Sequence, residues 1–172
     1  MQSQIEKHLN LKNVWMATHV TEAEFPTPLS KRGLELYQEQ QLQQSSQTIS
    51  SIPAPSTHAL TIYPVDCHPL TIRYSLVFAS KWQDGPEKEA VIEFLTQIML
   101  DDDSPAQLFV GFLNGKPAAC GIIFQSENNL ALVSDVHALP LANQQALIEE
   151  MENTLLSKVL SEKNELAIIS RC

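Results

Sequence analysis

Asp135 and His137 stand two residues apart in the run LALVSDVHAL, a spacing that projects both side chains from one face of a strand. Either could serve as a general base toward a bound nucleophile. The plainer reading makes Ser134, Asp135 and His137 partly exposed polar residues near a strand end. Cys67 and His68 are adjacent, and neighbours on an extended segment point apart, which disfavours a thiolate–imidazole pair. Cys120 lies in an apolar run and reads as a buried structural thiol. The five histidines show no HxH or HxxxH spacing, so no metal site is expected. Asp101-Asp102-Asp103 lacks the alternating oxygen ligands and the glycine of a calcium loop, and reads as a solvated loop after a helix. Trp15 and Trp82 read as packing residues. No nucleophile elbow, P-loop or dinucleotide fingerprint occurs.

The bulk composition narrows the classes. Twenty acidic against eleven basic residues give a net charge of -9, which repels phosphate backbones and anionic lipid. Neither nucleic acid nor membrane is therefore an expected partner. The three cysteines are far apart and form no CxxC pair, which fits reduced thiols in the cytoplasm. No apolar stretch approaches the ~20 residues of a membrane span. At 172 residues with 44% hydrophobic content, the chain can bury one core.

The elements that would position Asp135 and His137 lie in the second part of the chain, an expected domain over residues 58–172. Residues 59–65 suit an edge strand carrying Pro64. Residues 70–79 (LTIRYSLVFA) alternate as a half-buried strand, with a helix as the alternative at that length. Asp84-Gly85-Pro86 opens a helix striped by Val91, Phe94, Leu95 and Ile98. AQLFVGFL and PAACGIIFQ then pair through Asn114-Gly115, a strong hairpin signal, and a turn at Glu127-Asn128-Asn129 leads into LALVSDVHAL. Pro140 ends this three-stranded meander. An amphipathic helix follows over about Leu141 to Leu160, closed by Asn164, and ELAIIS is the last strand.

Residues 1–57 read as an N-terminal extension. Ile5, Leu9 and Leu11 suit a short helix, and Val14 to Val20 a strand. Ser30 can cap a helix through about Gln44. The glutamine-rich QEQQLQQSSQ and then TISSIPAPSTH read as a linker, which places the boundary near residue 57. The expected fold class is α+β, with a mainly antiparallel central sheet and helices packed on it.

LFVGFLNGKPAACGIIF followed by ALVSDVHALP resembles the central strands of GNAT-type N-acetyltransferases. In that family a strand pair turning at Gly-Lys or Gly-Lys-Pro leads to a fourth strand ending in a Val-x-Pro-like sequence. The resemblance covers residues 59–170 by order of elements and about 107–140 by sequence flavour. It implies acetyl-CoA or another acyl-CoA, with the pantetheine arm beside Val136 and Ala138. The pyrophosphate would sit at the opening of the next helix, on Asn143, Gln144 and Gln145, where N–H groups and the helix dipole favour an anion. Asp135 or His137 would take the proton of an amine acceptor.

Two departures from the family bear on that implication. Its loop pattern (Arg or Gln, two residues, Gly, one residue, Gly or Ala) falls on Asn143, Ala146 and Ile148, and no glycine follows Gly121. No Lys or Arg lies between Lys116 and Lys158 to meet the phosphates. Family members also usually continue with a further helix and strands that complete the acceptor site. Here either the N-terminal residues or a partner subunit would supply that layer, or the fold is partial. A second copy of the chain covering an open edge at the last strand makes a homodimer one expectation. Two functional readings stay open: a non-catalytic or degenerate GNAT-like domain binding a partner or small ligand, and an acyl-CoA-dependent N-acetyltransferase.

Overall fold

A computed structural model describes residues 2–51, 58–125, 130–162, 164 and 166–172. It contains a six-stranded sheet in the order β1-β6-β5-β4-β3-β2, formed by β1 (Ser45–Ile49), β2 (Leu60–Pro64), β3 (Ala106–Leu113), β4 (Lys116–Phe124), β5 (Leu130–Ala138) and β6 (Leu166–Arg171). All pairs are antiparallel except β5 with β6. The chain is thus α+β, as its sequence predicts. The helices are α1 (Gln2–Thr21), α2 (Pro28–Gln41), α3 (His68–Phe78), α4 (Pro86–Leu95) and α5 (Gln144–Glu162).

Two apolar layers follow from strand alternation. Leu108, Val110, Cys120, Ile122 and Leu132 face a core shared with α1 to α4. Ala119, Ile123, Val133, Ala167 and Ile169 face the other way, onto Leu147, Met151 and Leu155 of α5. Glu150 of α5 also accepts the N–H groups of Ala59 and Leu60 at 2.8 and 2.7 Å, tying β2 to that layer.

Local signals place several elements well. Asn114 and Gly115 both take positive φ (52° and 79°), the conformation an Asn-Gly hairpin turn requires. Pro86 occupies the first turn of α4 with Glu87 and Glu89, and Asn164 donates to the Val159 carbonyl at 3.1 Å at the end of α5. Helix α2 begins at a capping box: Thr27 accepts from the Ser30 N–H while Ser30 Oγ accepts from the Thr27 N–H. Thr27, rather than Ser30, is therefore the cap.

Three expectations are corrected. Residues 70–78 fall in helix α3, not a strand, and Ala79 is its C-cap: Thr71, Tyr74, Ser75, Val77 and Phe78 are buried, whereas Ile72 and Leu76 are exposed. Pro69 in the first helical turn and a burial period near 3.6 decide it. Residues 14–20 continue α1, because Ile5, His8, Lys12, Met16 and Val20 form one buried stripe at helical spacing. The expected linker instead opens with the end of α2 and then forms strand β1, every residue of which pairs with β6, from Ser45↔Arg171 to Ile49↔Ala167. The N-terminal region thereby supplies the neighbour of the last strand. The proposed boundary near 57 and the turn at Glu127-Asn128-Asn129 lie outside the described residues.

Candidate functional site

Strand β5 carries a bulge. Cys120 pairs with His137 and Ile122 with Ser134, so Gly121 alone opposes Asp135 and Val136. Asp135 takes φ 58°, a left-handed conformation that Asp tolerates better than most residues. The extra residue shifts the alternation. Ser134 and Asp135 both turn toward α1 and α2, after which Val136 and Ala138 face α5 and His137 faces the helix-rich side. Gly121 admits this arrangement: a Cβ there would lie 2.6 Å from Leu155 Cδ1 and 3.2 Å from Val136 Cγ2.

Asp135 and His137 share a side of the sheet but occupy different environments. Asp135 is 2% exposed. Its Oδ1 meets Lys12 Nζ at 3.3 Å and accepts from Gln41, Gln44 and Ser134, and its Oδ2 accepts from Tyr37 Oη at 2.5 Å. Lys12 also donates to Tyr37 Oη at 3.0 Å and to Gln41 Oε1. Burial pushes the Asp135 carboxyl up, but Lys12, Tyr37, Lys81 and Ser134 together hold it below the ordinary carboxylate value. Burial lowers Lys12 and raises Tyr37.

His137 is partly exposed, with Nε2 at 3.0 Å from Ser80 Oγ. Ser80 Oγ sends its own proton to the Val77 carbonyl at 2.6 Å, so His137 Nε2 is the donor and Nδ1 the basic nitrogen. Burial, then the Lys81 charge, lowers this imidazole to about 4. Cys120 is a fully buried thiol, consistent with a structural role. Among the described residues no group of His, Cys, Asp and Glu could hold a metal.

The β5–β6 ladder ends at Val133↔Ile169. Beyond it opens a groove of about 460 Å³, with Val136 and His137 on one wall, Ser170, Arg171 and Cys172 on the other, and Gln145 and Ile148 of α5 beneath. The remaining expected cofactor residues distribute unevenly. Gln145 lines the groove, Asn143 is exposed outside it, and Gln144 Nε2 donates to the Ala138 carbonyl at 2.9 Å.

The element order β2-α3-α4-β3-β4-β5-α5-β6, the β5 bulge and the groove opening beside it can be compared with solved structures. A GCN5-related N-acetyltransferase from Kribbella flavida superposes with a TM-score of 0.51 at 10% identity, over 81% of this chain and 54% of that protein. This is a GNAT fold. A functionally unknown conserved protein from Staphylococcus epidermidis ATCC 12228 superposes with a TM-score of 0.53 at 13% identity, over 79% of this chain and 55% of its own. The chain thus spans about half the length of each of these two structures. No protein-family model matches the sequence, and no curated protein is significantly similar to it.

Within the GNAT fold, the phosphate end of an acyl-CoA site does not fit these residues. The positive-φ positions among the described residues are Gly85, Asn114, Gly115 and Asp135, none in the loop 139–143. That loop closes on itself, with the Leu141 N–H on the Leu139 carbonyl and the Gln144 N–H on the Leu141 carbonyl. The Ala138 carbonyl, expected beside the pantetheine arm, already holds the Gln144 amide.

Sequence reasoning missed Lys12, Tyr37, Lys81 and Arg171. Only Lys12 carried a signal, as a lysine in the middle of a helical stripe with Ile5, Met16 and Val20.

Proposed function

We propose that this chain is a non-catalytic GNAT-fold domain that keeps the β5–β6 groove as a binding site for a small ligand. One observation carries the reading: Asp135, the carboxylate of the expected catalytic pair, is sealed beneath α1 and α2 by Lys12, Tyr37, Gln41, Gln44 and Ser134. A base with its oxygens so engaged is out of reach of an acceptor. His137 reaches the groove, but an imidazole lowered to about 4 is a weak base at neutral pH. The self-closed loop after β5 supports the same reading, because it offers no left-handed nest for a pyrophosphate.

The second reading, an acyl-CoA-dependent N-acetyltransferase, draws on the groove and on His137 standing neutral in it with Nδ1 unprotonated. Turnover separates the two. The protein is incubated with acetyl-CoA and a panel of amines and polyamines, and thiol release is followed. The binding reading expects no release above the protein-free rate. Release that depends on an amine and is lost in His137→Asn contradicts it.

A further inference from the structure

We propose that the β5–β6 groove is a site for a small carboxylate ligand, gripped by Lys81 and by the outer edge of the Arg171 guanidinium. The proposal rests on the reading of the groove as a binding site and names the ligand class.

The charge of the groove runs against that of the protein. The chain carries -9 overall, yet Lys81 and Arg171 both line the groove, and the side-chain carboxylate among its lining residues is Glu152. Glu152 is already engaged: both of its oxygens accept from Arg171 Nε, at 2.9 and 3.2 Å. That contact fixes the guanidinium plane and leaves its Nη edge without a partner among the described residues, a fork suited to a carboxylate. Lys81 forms no ion pair among the described residues. Its ammonium lies over the Phe78 ring, 4.9 Å from the centroid, and its charge reaches His137 and Asp135. Lys81 and the Nη edge of Arg171 thus offer two cationic groups with no carboxylate partner of their own among the described residues.

The walls narrow the ligand further. Val136 and Ile148 give the groove an apolar side, and about 460 Å³ falls in the range of small-molecule sites. A phosphate is the poorer fit, since the adjacent loop supplies no positive-φ nest. A short aliphatic chain ending in one or two carboxylates satisfies both the cationic end and the apolar side.

Isothermal titration at constant ionic strength tests this with succinate and inorganic phosphate as probes, on wild type, Lys81→Met and Lys31→Met. Lys31 is an exposed lysine on α2 and controls for loss of one positive charge. The proposal expects succinate to bind wild type and Lys31→Met alike, and at least tenfold more weakly to Lys81→Met. A succinate titration that leaves wild type silent, equal binding by Lys81→Met, or binding of phosphate alone overturns it. Should Lys81→Met fail to fold, the His137 ring resonances of wild type decide: succinate must shift them, and unmoved resonances overturn the proposal. Turnover of acetyl-CoA contradicts the non-catalytic reading instead, and leaves the succinate result to be judged separately.

Discussion

Lys12 Nζ lies 3.3 Å from Asp135 Oδ1, with both side chains fully buried and 123 residues apart in the chain. The pair joins the N-terminal helix to the one residue of β5 that takes a left-handed backbone. A non-glycine in that conformation costs about 1 kcal/mol, so surrounding contacts must hold it there. Five donors from α1, α2, residue 44 and β5 do so. The bulge they hold shifts His137 onto the helix-rich side of the sheet, next to Ser80.

Breaking this pair from one end leaves a buried charge unpaired. Lys12→Met is expected to destabilise the fold by about 3–5 kcal/mol in urea unfolding. Adding Asp135→Gly removes the stranded charge and relieves the left-handed backbone, so the double variant should recover much of the loss. Simple additivity of the two single losses would contradict the pairing.

The lowered His137 value fixes a pH dependence. Its folded value, about 4, lies below the ordinary 6.5, so the folded state favours the neutral ring. That contribution to stability is complete above pH 6.5 and is lost as pH falls through about 4. The melting-temperature difference between wild type and His137→Asn should therefore shift against wild type on acidification from 6.5 to 4. NMR titration should place the ring midpoint near 4, and Lys81→Met should raise it. A midpoint near 6.5 would contradict the environment described for the ring.

Residues 1–57 are expected to be integral to folding. Met16, Val20, Leu34, Leu36 and Tyr37 are buried in the same core as Phe78 and Phe94, and β1 covers the edge of β6. A fragment of residues 58–172 should show no cooperative thermal transition. A sharp melt from that fragment would instead mark the N-terminal region as separable.

What could be read in the sequence was mostly local. The Asn114-Gly115 turn and the start of α4 depend on neighbouring backbone preferences, and residue types report those directly. Helix α3 escaped because LTIRYSLVFA is apolar enough to satisfy period 2 as well as 3.6. The bulge escaped because no glycine marks Asp135, whose strain is relieved by residues from distant segments. The groove could not be assembled in advance: Lys81, His137 and Arg171 come from three separate parts of the chain. Asp135 and His137 were identifiable as polar strand residues, but their different surroundings are set by tertiary packing.

The most direct test of the account is the melting temperature of the full chain with and without acetyl-CoA, CoA and a longer acyl-CoA at millimolar concentration. A ligand at a hundred times its dissociation constant stabilises the native state by about 2.7 kcal/mol, a shift easily seen. The account predicts no shift with any of the three, because the loop after β5 makes no phosphate cradle. A clear, saturable upward shift with acetyl-CoA would contradict it and restore the acyltransferase reading.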